Sequence, residues 1–487
     1  MDMKGRKVTI VGLARSGAGA ANLLSRLGAA VTVTDMKSPD ALKPFLNKLD
    51  GSIRCELGGH PHILFEDADL IVISPGVPMD MNHLKAASEK SIKIIGELEL
   101  AYEIIMNNTP KSAVIPQFLA ITGTNGKSTT TSLLYEMIKA SSFKTVLGGN
   151  IGNAMTEEIY KGIVNNDSDI YEKDFFVAEV SSFQLESIRE FRPTGAAILN
   201  ITPDHLDRYS SMSSYIDAKC RIFLRQGKGD FIILNADDPA TDEILLRMRA
   251  QESSGFEIPE IFYFSMKHPV EGAYYLDSDR IIAFNLPEYK IQNLRCEIKE
   301  IPPNFRLLPY SFKIKGVHNI ENAMAASLLA ILSGCKTDII SEVLKRYPGL
   351  EHRLEFVREI DGVRFINDSK GTNVGAVLKS LEGFHEPVIL IAGGRDKHGD
   401  FGLLRPLIKE KVKALILIGE AREKIKNALG DLTRVLLEES LQNAVIKAKS
   451  ISVSGDVVLL SPACASFDMF NDFGDRGRQF KKAVMEL

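Results

Sequence analysis

The sequence predicts an α/β protein of three domains: a Rossmann-like first domain (1–112), a central P-loop-type ATPase domain with a mostly parallel sheet (113–349) and a Rossmann-like third domain (350–487). Three observations predict it. At 487 residues the chain exceeds what one hydrophobic core serves and divides into about three domains of ordinary size. Short apolar runs repeatedly break into glycine-rich or polar turns followed by helix-patterned segments, the rhythm of βαβ units. The polar clusters fall at the C-terminal ends of those runs, where α/β sheets bind their ligands.

Composition narrows the class. A net charge of −4 argues against a general nucleic-acid partner, so an anionic substrate must be met by local lysines and arginines. Five scattered cysteines (Cys55, Cys220, Cys296, Cys335, Cys464) with no CxxC pair imply reduced thiols, a cytoplasmic setting and no structural zinc. The chain leads from Lys4–Lys7 into a strand without the apolar core of a signal peptide, and no segment approaches the roughly eighteen apolar residues of a membrane span.

In the first domain, Val8–Val11, the turn Gly12-Leu-Ala-Arg-Ser-Gly17, a helical pattern through Leu27 and the strand Ala30–Thr34 ending at Asp35 form a nucleotide-binding βαβ unit. Ala14 replaces the middle glycine of the dinucleotide fingerprint, which argues against an NAD-linked oxidoreductase, an alternative that saturable NAD(H) binding would revive. Leu70–Ile73 is a second buried strand, leaving through Ser74-Pro75-Gly76. A polar, proline-containing linker follows at Asn107–Ser112.

The central domain opens on Leu119-Ala-Ile-Thr-Gly123-Thr124-Asn125-Gly126-Lys127-Ser128-Thr129. Glycines admit close approach of backbone N–H groups to phosphate, Lys127 brings a positive charge, Ser128 offers a hydroxyl to Mg²⁺, and the following helix adds its dipole. Ile121 stands where a Walker A motif has its first glycine, so only the Gly-Lys-Ser half is met. Gly148–Gly152, containing Asn150, is a second glycine turn, and the polar stretch from there to Asp174 reads as a surface excursion. Glu179 closes an apolar strand, an expensive place for a charge unless paired or bound to metal, which makes it a Mg²⁺-ligand candidate. Ala196–Thr202 is expected to neighbour that strand and to deliver His205 to the site. Lys219 lies on a helix, where spacing alone leaves a solvated lysine equally open. Residues 245–312 read as an antiparallel insertion, and Asn319 as an N-cap with Asn322 one turn on, suited to a base edge.

In the third domain, after a hinge at Pro348-Gly349, three strands end in polar turns: Val363–Ile366 into Asn367–Asn373, Val388–Ala392 into Gly393–Lys397, and Val457–Leu460 into Ser461–Asp468. They describe a parallel sheet with one binding edge.

Thr122–Ser128, Glu179–Glu186, Asn200–Tyr209, His318-Asn319-x-x-Asn322 and His352-Arg353, in this order, resemble the Mur ligases, ATP-dependent amide-forming enzymes of peptidoglycan synthesis. Asn367–Asn373 and Leu460–Asp468 resemble the branch that adds D-glutamate to UDP-N-acetylmuramoyl-L-alanine. The resemblance implies an acyl phosphate route, a monomer, two Mg²⁺ ions and a carbamylated Lys219. It implies catalytic roles for Lys127, His205, Lys219, Arg353 and Lys370. ATP would be met by Gly123, Thr124, Asn125, Gly126, Lys127, Ser128, Thr129, Asn319, Asn322, Arg353 and Asp368, and the metals by Ser128, Glu179, His205 and Lys219. Asp35, Lys37, Ser74, Pro75, Gly76, Asn150 and His205 would hold the UDP end, and Thr372, Lys397, Ser466, Phe467 and Phe473 would frame D-glutamate. Rival readings are another Mur ligase, a folylpolyglutamate synthase-like ligase, or a nucleotide-dependent switch that binds ATP without amino-acid-dependent phosphate release.

Overall fold

The computed structural model describes residues 2–165, 168–205, 208–292, 294, 305–314, 316–396 and 399–487. They form three sheets. The first is wholly parallel, with strands β1 (Lys7–Val11), β2 (Ala30–Asp35), β3 (Arg54–Leu57), β4 (Leu70–Ile73) and β5 (Lys93–Gly96) in the order β3-β2-β1-β4-β5. Its reversal of strand order beside β1 puts the Gly12 turn and the Ser74 turn side by side, where the Ser74 hydroxyl donates to the Gly12 carbonyl at 2.8 Å.

The second sheet holds β6 (Gln117–Thr122), β7 (Thr145–Gly149), β8 (Phe175–Glu179), β9 (Gly195–Ile198), β10 (Phe231–Asn235), β11 (Glu260–Ser265), β12 (Gly272–Leu276), β13 (Ile281–Asn285) and β14 (Arg306–Leu307). Their order is β14-β13-β12-β11-β10-β9-β6-β8-β7. β6, β8, β9 and β10 are buried almost throughout, as continuous apolar runs in a doubly covered parallel sheet should be. The third sheet holds β15 (Glu355–Ile360), β16 (Val363–Asn367), β17 (Val388–Gly393), β18 (Val412–Ile418), β19 (Arg434–Leu437) and β20 (Val457–Leu460), ordered β15-β16-β20-β17-β18-β19. Only the β15–β16 pair is antiparallel there, so the three strands with polar turns are adjacent and parallel as expected.

The chain separates into two compact units, one of residues 1–311 and 321–345, the other of 312–320 and 346–487. Within the first unit, the five- and nine-stranded sheets are joined through buried carboxylates. Glu99 Oε1 and Oε2, on the Glu97–Asn108 helix, accept from the backbone N–H groups of Arg189, Glu190 and Phe191 at 2.7–3.0 Å. Glu97 Oε1 accepts from both the N–H and the hydroxyl of Thr156. Burial raises the pKa of both carboxyls, and the hydrogen bonds oppose it.

Four sequence expectations change. Within the stretch read as a surface excursion, Met155–Val164 is instead a helix burying Met155, Thr156, Ile159 and Gly162, with Glu97 accepting from its first turn. The 245–312 region begins inside a helix, Ala240–Ser253, and β11 and β12 pair in parallel, so among the described residues only β12–β13–β14 is antiparallel there. β9 does not neighbour β8, because β6 lies between them. The helix Val317–Leu332 begins two residues before Asn319, which is therefore inside it and not its N-cap. Among the described residues, no helix is long and apolar enough to cross a membrane.

Candidate active site

The centre of the first unit is the turn after β6. β6 pairs with β8 so that Ile121 faces Glu179, and with β9 so that Thr122 faces Ile198. The glycine loop, Glu179 and the Leu199–His205 segment therefore leave three adjacent strands at one edge. Gly123 and Gly126 have φ of +148° and +84°, and a Cβ on Gly126 would lie 2.3 Å from Asn322 Oδ1, so the turn requires glycine there. Lys127 opens the helix Lys127–Ala140, and its Nζ donates to the Gly123 and Thr124 carbonyls, both at 2.8 Å.

Asn200 braces this loop and was not singled out by the sequence. Its Oδ1 accepts from Asn125 N–H at 2.8 Å and its Nδ2 donates to Asn125 O at 3.1 Å, a two-point clasp on the loop backbone. Thr124 adds a bond from its N–H to Asn200 O and one from its hydroxyl to Thr202 O. The available signal was an asparagine ending an apolar strand just before a turn. Asn200→Ala should raise the KM for ATP roughly five- to thirtyfold, from one to two lost bonds at about 1 kcal/mol each, with little change in folding. An unchanged KM would show that the clasp is redundant.

Ser128 and Glu179 are each 1 % exposed, and Glu179 Oε1 accepts from Asn150 Nδ2 at 2.7 Å. Thr129 Oγ1 is buried in the first helical turn with no hydrogen-bond partner. A hydroxyl and a carboxylate beside a phosphate-type loop are hard oxygen donors that fit Mg²⁺, and an orphaned hydroxyl at a helix N-terminus fits an anionic ligand. Asn322 joins the loop from the far side, its Oδ1 accepting from the Thr130 hydroxyl at 3.2 Å.

Lys219 is in the last turn of the helix Met212–Cys220 and is 1 % exposed, which removes the reading of a solvated lysine. Its Nζ donates to Gly123 O at 3.0 Å, the carbonyl that Lys127 also uses, and lies 4.7 Å from the centre of the Tyr215 ring. Burial, and then the Lys127 charge, push its pKa well below the ordinary lysine value. His205 adopts φ +54° and its ring centre lies 4.8 Å from that of Phe183.

At the first sheet, Asp35 accepts from the N–H groups of Leu13 (2.6 Å) and Lys37 (2.8 Å), fixing that turn, while the Lys37 side chain is exposed. Ser74 is buried, Pro75 half-buried and Gly76 exposed. Arg15 reaches the Gly152 carbonyl at 2.6 Å, which brings the Gly12 turn to the Asn150 turn.

In the second unit, Arg353 lies between two residues with left-handed backbones, His352 (φ +65°) and Leu354 (φ +45°). Its Nε is buried without an acceptor, as suits a guanidinium waiting for an anion. His352 Nδ1 is 2.9 Å from Asn367 Nδ2 and therefore accepts, leaving the ring neutral, and burial lowers its pKa. Glu351, His352 and Glu355 cluster like metal ligands, but Lys481 Nζ already joins the two carboxylates at 2.8 and 2.7 Å. Asp368 Oδ2 accepts from the hydroxyls of Ser380 and Ser461, both at 2.7 Å, and burial raises its pKa. Lys370 Nζ lies 5.2 Å from the Phe473 ring centre. Thr372 is half-buried, Ser466 buried and Phe467 63 % exposed, and Asn319 is buried on the helix Val317–Leu332. Lys397 lies outside the described residues.

Arg476, fully buried, was also missed. It donates to Ser369 Oγ (3.0 Å), Ser369 O (2.8 Å) and Cys464 O (3.2 Å), tying the Asn367–Asn373 turn to the Ser461–Asp468 turn.

Comparison with known proteins adds three matched segments. Residues 6–96 match the N-terminal domain of the MurD-like Mur ligases, 121–330 the Mur ligase middle domain, and 352–464 the Mur ligase glutamate ligase domain. The chain is 43 % identical over 488 residues to the UDP-N-acetylmuramoylalanine–D-glutamate ligase of Geotalea daltonii, covering 100 % of this chain and 99 % of that one. It is 43 % identical over 493 residues to the enzyme of that name from Thermoanaerobacter sp. (strain X514), covering 100 % of both. Among solved structures, the UDP-N-acetylmuramate–alanine ligase MurC of Thermotoga maritima shares the fold, with a TM-score of 0.59 at 17 % identity over 99 % of each chain.

Proposed function

The chain belongs to the Mur ligase family, and from that premise we propose that it is the ATP-dependent ligase that adds D-glutamate to UDP-N-acetylmuramoyl-L-alanine in peptidoglycan precursor synthesis. The observation that carries this is full-length similarity to D-glutamate ligases, with the N-terminal segment matching that branch of the family. That match also leaves no support for the NAD-linked reading of the first βαβ unit. The protein is read as a cytoplasmic monomer.

The muramoyl-alanine carboxylate attacks the γ-phosphate of ATP, giving an acyl phosphate and ADP. The D-glutamate amine then displaces phosphate, forming the amide. Phosphoryl transfer of this kind depends on positioning and charge neutralisation. Lys127, already folded over the loop, and the N–H groups opening the Lys127–Ala140 helix suit the phosphates, and Arg353 and Lys370 suit the same anionic chemistry. Asn322 and Asn319 are assigned to adenine, and Asp368 to the ribose. Asp368 Oδ2 is engaged with two serines, so that contact would fall to Oδ1, which accepts only a 3.3 Å bond from Leu354 N–H. Ser74, Pro75, Gly76, Asp35, Lys37 and Asn150 are assigned to the UDP end, and Thr372, Lys397, Ser466, Phe467 and Phe473 to D-glutamate.

The family uses ATP with Mg²⁺, and two ions are proposed here, one held by Ser128 and Glu179, the other by His205 and Lys219. Bound Mg²⁺ would neutralise charge on the transferring phosphate. An ammonium cannot ligate a cation, so Lys219 serves as a carbamate, formed when its amine adds to CO₂ and releases one proton. Only the neutral amine reacts in that way, and burial beside Lys127 favours it.

Offered radiolabelled amino acids with the muramoyl substrate, the enzyme should incorporate D-glutamate in preference to L-alanine or diaminopimelate. Preference for either rival would move the protein to another branch of the family. Phosphate release independent of any amino acid would favour a switch.

A further inference from the structure

We infer that Phe183 and Arg208 are positioning residues for His205, and that Arg208 also relates the His205 segment to the Ser74–Pro78 turn. The inference rests on the reading of His205 as a metal ligand.

The segment carrying Phe183 is held at several points. Ser181 and Gln184 form a reciprocal capping box around the short helix Ser182–Leu185. Arg221 donates from Nε to Leu185 O at 2.6 Å and from its terminal nitrogen to Ile188 O at 2.7 Å. The three N–H groups that follow, 189 to 191, end on the buried Glu99 carboxylate. A turn fixed by a cap, a guanidinium and a carboxylate is a rigid platform.

The His205 segment rests on that platform through side chains. Arg208 binds Glu186 at two points, Nε to Oε1 at 3.2 Å and NH2 to Oε2 at 2.5 Å, and the Tyr209 hydroxyl donates to Glu186 Oε1 at 2.6 Å. So held, the Arg208 guanidinium carbon lies 4.5 Å from the Phe183 ring centre, and the Phe183 ring meets the imidazole of His205 at 4.8 Å. The result is a chain of contacts, Glu186 to Arg208 to Phe183 to His205. It matters because His205 has a left-handed backbone, a strained conformation for a residue with a Cβ, which contacts on its ring help to hold. Arg208 NH2 also lies 3.5 Å from the Val77 carbonyl, so one side chain spans from the His205 segment to the Ser74–Pro78 turn. Lysine would keep the charge and lose both the fork and the planar stack.

The test compares Phe183→Leu, Arg208→Lys and His205→Gln in the full-length enzyme. Mn²⁺ affinity is followed by the resonance of free Mn²⁺ in the presence of ATP analogue and UDP-N-acetylmuramoyl-L-alanine. Affinity for the UDP substrate alone is measured by calorimetry without metal. Phe183→Leu should weaken one class of Mn²⁺ site roughly tenfold or more, the scale of losses when a ligand's supporting contact is removed, and leave metal-free substrate affinity within about twofold. Arg208→Lys should weaken both, and the double variant should lose less than the sum because both act through one ring. Wild-type Mn²⁺ affinity in folded Phe183→Leu, alongside weakened affinity in His205→Gln, would overturn the positioning role. Unchanged Mn²⁺ affinity in His205→Gln itself would instead overturn the reading of His205 on which the inference stands.

Discussion

Replacing Lys219 by alanine is expected to lower ligase activity by about a hundredfold or more while the protein stays folded, and formate or acetate added to the assay is expected to restore part of it. Two lysine amines share the Gly123 carbonyl, at 2.8 and 3.0 Å. Two ammonium charges on the order of 5 Å apart repel by roughly 3 kcal/mol at an effective dielectric near 20, before the cost of burying either one. Conversion of Lys219 to a carbamate changes that repulsion into attraction and supplies an oxygen donor. Alanine leaves a space beside Gly123 that a small carboxylate fits, hence the rescue. Tyr215, whose hydroxyl lies 3.3 Å from that of Thr124 and whose pKa burial pushes up to about 12, remains as a neutral wall of the space. Full activity of the alanine variant without added acid would rule out both the carbamate and the ligand role.

Arg476→Leu is expected to destabilise the second unit by roughly 3–5 kcal/mol and to abolish activity. Leucine fills part of the volume but leaves the Ser369 and Cys464 carbonyls buried without donors, each worth about 1–3 kcal/mol, and the Ser369 hydroxyl loses a partner. A loss of that size lowers the melting temperature of a unit of this length by roughly 10 °C. Burial brings the guanidinium pKa down to about 10, so it is still charged at neutral pH, and its hydrogen bonds retain their charge-assisted strength. Arg476→Lys should recover only part of the stability, since one ammonium cannot reach both turns with a fork's geometry. A melting temperature within a degree or two of wild type for Arg476→Leu would show that the two turns are held by other contacts.

The parallel sheets, the polar turns at their strand ends and the glycine turn before the Lys127–Ala140 helix were legible because each rests on a local pattern: an apolar run, a glycine turn, a polar exit. What was not legible depended on which face an element buries and against what. Met155–Val164 was passed over although Met155, Ile159 and Ile163 recur four residues apart, because a polar run follows it directly and its stabilising carboxylate, Glu97, lies far away in the chain. Lys219 was ambiguous because helical spacing does not say which side meets the sheet. The placement of β9 beyond β6 is a matter of strand order, which no local pattern encodes. Asn200 and Arg476 act on backbone groups of distant turns, and nothing in their own surroundings in the sequence identifies those partners.

Glu97 and Glu99 have a consequence for cooperativity. If the five-stranded sheet detached, two buried carboxylates would lose five hydrogen bonds with groups of the neighbouring sheet, and the N–H groups of residues 189–191 would need new acceptors. Partial melting of the first sheet is therefore steeply unfavourable, and residues on either side of the Asn107–Ser112 segment share one unfolding transition. The Ser74–Pro78 turn and the Gly123–Ser128 loop thus gain and lose their structure together, and a lesion at Glu99 would be felt at the Ser181–Phe191 segment without any change in the loop's own sequence.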